Sequence, residues 1–123
     1  MNLVDSSGWL EYFADGSNAQ FYLPALENIK DLIVPTICIY EVFKRILQQR
    51  DEDNACRAVT LMQGGHIIPL DMTLSIKAAQ MSQELKLHMA DSIILATARQ
   101  HNAIIWTQDD HFKNLPGVKF FKK

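Results

Sequence analysis

Four acidic side chains are the strongest candidates for chemistry, because each lies next to the end of an apolar segment. Asp5 directly follows a short apolar run, and Asp109 comes just after a β-branched and aromatic run. Asp91 opens the amphipathic segment before that second run, and Glu41 lies early in another amphipathic segment. If these carboxylates meet, their repulsion should raise the pKa of at least one of them and favour a bound divalent cation, with oxygen ligands suiting Mg²⁺ or Mn²⁺.

Each acid also has an ordinary structural interpretation. Asp5 could cap a helix, and Asp91 could interact favourably with a helix dipole. Asp109 lies in a predicted turn, where Asp is common, and Glu41 could pair with a basic residue one turn along its helix. The combination favours chemistry, because all four fall where a single cleft is expected.

The elements that would position these acids alternate between strand and helix. The predicted strands are residues 2–4, 32–35, 66–70, 103–106 and 118–121. The predicted helices are residues 6–13, 18–29 with Asn18 as cap, a third from Thr36 as cap, 53–62, 74–85 and 91–100.

This alternation predicts right-handed crossovers and a sheet covered on both faces. We therefore expect a three-layer α/β/α fold with a mostly parallel central sheet of about four or five strands, in a single domain over residues 1–123. Ligands of such sheets bind beyond the carboxyl ends of the strands, where the acids lie. On the third helix, Tyr40, Phe43 and Leu47 are expected to form the apolar face, with Ile39 and Ile46 beside them.

Composition excludes several classes of protein. The chain has 12 Lys+Arg against 14 Asp+Glu, a net charge of −2, with 48% hydrophobic residues, as in a folded globular protein. A mildly acidic chain has no general field for coating nucleic acid, so any such role needs a local site. No apolar run approaches the ~20 residues of a membrane helix. Cys38 and Cys56 lack metal-binding or redox spacing, so we expect two buried, reduced thiols in a cytoplasmic protein.

Short motifs surround the four acids in a specific order along the chain. They are Val4-Asp5-Ser6-Ser7, then Glu41, then Ala90-Asp91-Ser92, and finally Trp106-Thr107-Gln108-Asp109 followed by His111-Phe112. Together they resemble the PIN domain, and most closely the VapC-type ribonuclease toxins of toxin–antitoxin pairs. The resemblance extends from Leu3 to Phe121.

The resemblance implies an endoribonuclease that depends on Mg²⁺ or Mn²⁺. Its catalytic acids match Asp5, Glu41, Asp91 and Asp109, of which Asp5, Asp91 and Asp109 would bind the metal directly or through water. Glu41 would complete the site or accept a proton from the attacking water. Ser6 and Thr107 match the small hydroxyl residues near the metal and would orient ligands or a water. Whether one or two metals bind is left open.

The resemblance also implies partners: an RNA substrate, a cognate antitoxin and a second copy of the chain in a homodimer. Lys44 and Arg45 share a helix with Glu41 and are candidate phosphate contacts. Asp110 is next to the matched acid and is expected at the surface. His111 could touch RNA, although a solvated or locally bonded side chain is the simpler interpretation.

Three other functions are compatible with parts of the pattern. A phospho-acceptor receiver domain would use Asp71, Thr107 and Lys122, but it requires two adjacent acids after the first strand, where Asp5 is followed by serine. A silent PIN-like scaffold would bind a partner without catalysis, although all four acids are present. A PIN nuclease of RNA processing differs from a toxin only in its target.

Overall fold

The computed structural model describes residues 1–123 and contains one five-stranded sheet in which every pairing is parallel. The strands are β1 (Asn2–Val4), β2 (Leu32–Pro35), β3 (His66–Ile68), β4 (Ile104–Thr107) and β5 (Val118–Phe120). Their order is β3-β2-β1-β4-β5, so β1 is central. The residue that follows β1 therefore lies in the middle of the edge where all five strands end.

Six helices accompany the sheet and confirm the predicted three-layer α/β/α architecture. None of them is long and apolar enough to cross a membrane. The helices are α1 (Ser6–Phe13), α2 (Ala19–Glu27), α3 (Thr36–Gln49), α4 (Glu52–Met62), α5 (Met72–Leu85) and α6 (Met89–Gln100). Short 3₁₀ turns occupy Ile29–Asp31 and Asp110–Phe112.

Several differences from the predicted bounds lie at helix starts, and the others are shifts of one or two residues at the end of α2 and in β3, β4 and β5. Asp51 and Asp71 cap α4 and α5, accepting bonds from the amides of Asn54 and Leu74, so both helices begin earlier than predicted. Asn18 is the N-cap residue of α2 as predicted, but its side chain makes no capping bond. Thr36 is the first residue of α3 rather than its cap.

The apolar face predicted for α3 is correct for Ile46, which is buried, and for Ile39 and Phe43, which pack against the core, but wrong for Tyr40 and Leu47. The buried residues are Cys38, Val42 and Ile46, which are four apart and share one side of the helix. Tyr40 and Leu47 are exposed, Tyr40 by 59%. Apolar residues surround most of this helix, so periodicity does not indicate which stripe meets the core.

Of the two cysteines, Cys38 is buried and Cys56 is exposed, and both are free thiols. The prediction of two buried thiols is therefore wrong for Cys56. The inner face of α4 consists of Ala55, Ala58 and Met62. Cys56 follows Ala55 by one residue, about 100° around the helix, and so points away from the core.

Gly8 lets α1 pack tightly over the end of β1. A Cβ at this position would lie 2.5 Å from Cε1 of Tyr22 and 2.6 Å from Cγ1 of Val4, both buried side chains. The absence of a side chain at Gly8 therefore brings the first turn of α1 close to the sheet.

Candidate metal centre

Asp5 is the most buried of the candidate acids, with 2% of its surface exposed. Parallel pairing of β1 with β4 places Val4 opposite Trp106, so the next residues, Asp5 and Thr107, lie side by side. The hydroxyl of Thr107 donates a 2.6 Å bond to Oδ2 of Asp5. The sheet register itself therefore brings together two residues 102 positions apart.

The first turn of α1 holds the other side of the Asp5 carboxylate. The amide of Gly8 donates to Oδ1 at 2.9 Å, as in an N-cap, and the Ser7 hydroxyl lies 2.8 and 3.0 Å from the two oxygens. A carboxylate has about four lone-pair positions, and these groups with Thr107 supply three protons. Asp5 thus acts as a helix cap and still keeps acceptor capacity for a cation.

Thr107 also connects Asp5 to Asp109. Its hydroxyl oxygen accepts a 2.9 Å bond from the Asp109 amide while its proton goes to Asp5. Oδ1 of Asp109 accepts from the His111 amide at 2.9 Å, which caps the 3₁₀ turn. The fully buried Phe112 anchors this turn in the core.

Asp91 lies in the first turn of α6, facing this loop. His111 Nδ1 lies 2.8 Å from Oδ2 of Asp91 and 3.6 Å from Oδ1 of Asp109. Because a carboxylate only accepts hydrogen bonds, Nδ1 carries the proton between His111 and Asp91. One ligand atom from each of these three residues lies within 4.8 Å of the other two.

His111 is therefore part of the acidic cluster, a role that its sequence position did not reveal. The prediction that the His111 side chain bonds within the protein is correct, but the bond joins it to Asp91, which lies twenty positions away in the sequence. Ser7 was also missed as a partner of Asp5. The only sequence signal for either residue is its presence in a short motif around a matched acid.

Glu41 reaches the site from α3. Ser6 donates a 2.6 Å bond to Oε1 of Glu41, so the Ser6 hydroxyl binds Glu41 and leaves Asp5 to Ser7 and Thr107. Neither Lys44 nor Arg45 forms a salt bridge with Glu41. The ion pair considered from the sequence is therefore absent.

A cleft of about 340 Å³ joins these groups. Three of the four predicted acids line it: Asp5, Glu41 and Asp109. Asp91 is not among its lining residues and joins the cluster at its edge through Asp109 and His111. The remaining lining residues are Ser6, Ser7, Leu10, Tyr40, Lys44, Arg45, Gln48 and Ile94.

Burial dominates the electrostatics of this cluster. Desolvation raises the pKa of Asp5 to about 6, against the opposing effect of hydrogen bonds from Thr107, Gly8 and Ser7, and the Asp109 charge adds to the rise. The pKa of Asp91 is also raised, first by desolvation and then by Asp109, with the His111 hydrogen bond opposing. That hydrogen bond, followed by the Asp109 charge, raises the pKa of His111. The expected rise in the pKa of at least one acid is confirmed, but repulsion from Asp109 contributes less to it than desolvation does.

The donor set fits a divalent cation. Asp91, Asp109 and His111 offer carboxylate and imidazole atoms within one coordination-sized volume, and Asp5 offers a desolvated carboxylate. Carboxylates suit Mg²⁺ and Mn²⁺, whereas imidazole suits divalent transition metals. A positive ion would also relieve the unfavourable burial of the Asp5 charge.

The chain belongs to the PIN domain family. The family model described as PIN domain matches residues 3–118, which include all four acids. No curated protein sequence compared with the chain matches it.

Solved structures of toxin–antitoxin proteins share the fold. A toxin–antitoxin complex from Klebsiella pneumoniae is similar with a TM-score of 0.84 and 23% identity, covering 100% of both chains. The sarcin-ricin loop cleaving toxin VapC20 of Mycobacterium tuberculosis has a TM-score of 0.75 and 14% identity, covering 90% of this chain and 92% of that chain. FitAcB from Neisseria gonorrhoeae has a TM-score of 0.69 and 22% identity, covering 89% and 88%. The resemblance to the PIN domain and its VapC-type members is confirmed at the level of family and fold.

Burial of Asp5 predicts a pH-dependent loss of metal-free stability. Its folded pKa of about 6 exceeds the ordinary 3.8, so between these values the native state binds more protons than the unfolded state. The free energy of unfolding should therefore fall as pH rises from about 4 to 6, and Asp5→Asn should remove this fall. The difference in free energy of unfolding between Asp5→Asn and wild type should therefore depend on pH. On going from pH 4 to pH 7.5 in chelator, we expect this difference to change by roughly 1 to 3 kcal/mol in favour of the variant.

Chelated denaturant melts of both proteins across this pH range measure the effect. Asp53→Asn is a suitable control, because Asp53 is exposed on α4 outside the cleft. Parallel stability curves for wild type and Asp5→Asn would show that Asp5 ionises alike in the folded and unfolded chain.

Proposed function

We propose that this chain is a metal-dependent endoribonuclease and the toxin component of a toxin–antitoxin pair. The observation that carries the proposal is the meeting of Asp5, Asp109 and Glu41 in one cleft, with Asp91 at its edge. Membership of the PIN family and the fold shared with VapC toxins support the same function.

Asp5, Asp91 and Asp109 would hold the cation, Mg²⁺ or Mn²⁺. When bound, such an ion lowers the pKa of a coordinated water and stabilises negative charge on the phosphate in the transition state. Thr107 keeps two of these ligands in fixed relation, since its hydroxyl bonds Asp5 and the backbone of Asp109. Residues that orient ligands in this way commonly affect metal affinity.

Glu41 is placed to accept the proton of the attacking water. Its Oε1 accepts a hydrogen bond from Ser6, and Oε2 accepts none from within the protein. Water would attack phosphorus and give its proton to the carboxylate, and the bond to the leaving sugar oxygen would break as that oxygen takes up a proton from solvent water. Ser6 acts here as a positioning residue for Glu41.

Lys44 and Arg45 would bind the RNA backbone at the mouth of the cleft. Both are exposed, both line it, and no acidic side chain forms a salt bridge with either. Phosphate contacts position a nucleic acid without reading its sequence. In a chain of net charge −2, they provide the local positive site that RNA binding requires.

The metal site is tested by RNA cleavage. Asp5→Asn and Asp91→Asn should each reduce Mg²⁺- or Mn²⁺-dependent cleavage by at least about 100-fold, because each removes a charged ligand. Both variants should keep the native far-UV circular dichroism spectrum, and Asp53→Asn should cleave at the wild-type rate. Undiminished cleavage in either site variant, or by wild type in excess chelator, would refute the metal site.

The proposed phosphate contacts are tested by the salt dependence of RNA binding. In the Asp5→Asn background, Lys44→Gln and Arg45→Gln should weaken binding of all single-stranded RNAs to a similar degree. Each should reduce the slope of log K against log salt by roughly 0.7. Fluorescence anisotropy measures both quantities, with Lys77→Gln, an exposed lysine on α5, as control. Unchanged slopes would place the RNA elsewhere.

The toxin role is tested in cells, because a nuclease of RNA processing has the same chemistry. Expression of the chain should arrest growth, Asp5→Asn should abolish the arrest, and co-expression of the cognate antitoxin should relieve it. The three carboxylates of the cleft suit inhibition by a basic side chain of that antitoxin. Unimpaired growth with active enzyme would favour a processing role. The expected homodimer stays a prediction.

The structure gives no support to a receiver domain. Asp71, its required acceptor, caps α5 and does not line the cleft. Its carboxylate oxygen Oδ1 already accepts from the Leu74 amide.

A further inference from the structure

The ring of His111 faces both carboxylates at the edge of the cleft. Its Nδ1 atom is 2.8 Å from Asp91 and 3.6 Å from Asp109. The arrangement brings one nitrogen and two oxygens from three different residues to a common point.

The two separations from Nδ1 are close to those between ligands of one metal ion, and the third is no more than 4.8 Å. Adjacent ligands at right angles, with bonds of about 2.1 to 2.2 Å, lie about 3 Å apart. The two measured distances from Nδ1 bracket this value. Small side-chain movements, with loss of the Nδ1 proton to leave a neutral ring protonated on Nε2, would therefore suffice for all three atoms to contact one cation.

The backbone fixes His111 in this position before any cation binds. Its amide donates to Oδ1 of Asp109, and the amide of Phe112 donates to the Asp109 carbonyl at 3.1 Å. Phe112 is fully buried, and the His88 ring lies against the His111 ring with 5.4 Å between centroids. The exposed ring, 54% accessible, is thus held over the carboxylates rather than free in solvent.

We propose that His111 Nδ1 is a direct ligand of the cation held by Asp91 and Asp109, which makes the site a mixed nitrogen–oxygen site with a preference for Mn²⁺ over Mg²⁺. This inference rests on the proposed function for the role of the cation. Mg²⁺ takes oxygen ligands almost exclusively, whereas imidazole binds later divalent metals well. The acids alone do not produce that preference.

The competing role for His111 is that of a positioning residue. It would then donate a hydrogen bond to Asp91 and never contact the ion, as many outer groups of metal sites do. The two roles differ in one measurable property, a bond between nitrogen and metal.

Pulsed electron paramagnetic resonance of bound Mn²⁺ detects that bond directly. Wild type loaded with Mn²⁺ should show modulation from a coordinated ¹⁴N nucleus, which should change to the ¹⁵N pattern when histidine is ¹⁵N-labelled. His111→Asn should abolish the modulation, because asparagine can still donate to Asp91 but lacks a ring nitrogen. His88→Asn should retain it and excludes the neighbouring imidazole.

The same variants report metal preference in binding titrations. His111→Asn should weaken Mn²⁺ about tenfold and Mg²⁺ much less, so the ratio of the two affinities should fall. An absence of nitrogen modulation in Mn²⁺-loaded wild type, its persistence in His111→Asn, or a failure to bind Mn²⁺ would overturn the proposal. If His111→Asn does not fold, the labelled wild type still decides between bonded and unbonded histidine.

Failure of this inference is distinct from failure of the proposed function. Metal-dependent RNA cleavage without nitrogen modulation would leave a nuclease whose histidine only positions Asp91. Nitrogen modulation without RNA cleavage would leave a histidine-containing metal site on a protein with another activity.

Discussion

The desolvated carboxylate of Asp5 is the constraint on which the site depends. It lies in the middle of the carboxyl edge of the sheet, with 2% of its surface exposed, and burial raises its pKa to about 6. Donors from two other elements hold it: Gly8 in α1 and Thr107 in β4. The same carboxylate thus begins a helix, links two strands and provides a charge that a cation would stabilise.

The other acids reach Asp5 through the topology of a parallel sheet. Crossover helices begin near the edge where the strands end, so the early turns of α3 and α6 supply Glu41 and Asp91. Asp109 belongs to the loop after β4, and Thr107 connects it to Asp5. Separate segments of the chain thereby contribute to one cleft, whose open side carries Lys44 and Arg45.

Residue types and their spacing along the chain account for the features that were predicted correctly from the sequence. The strand–helix alternation led to the correct fold class, and the positions of the acids at strand ends predicted their convergence. The periodicity of apolar residues did not predict which side of α3 faces the core. The side with Cys38, Val42 and Ile46 is buried, and Tyr40 lies at the cleft. Helix propensity and spacing describe a face but do not indicate which neighbour will cover it.

The sequence by itself determined the order of elements, the four acids and the family to which they belong, because these depend on residue types and spacings along the chain. Only the tertiary structure decided which hydroxyl serves which acid, with Ser7 and Thr107 on Asp5 and Ser6 on Glu41. It also brought His111 to Asp91 across twenty positions. These pairings depend on strand register, on burial and on the angle at which each loop leaves the sheet. Such quantities arise from packing between distant segments, so no local pattern of residues encodes them.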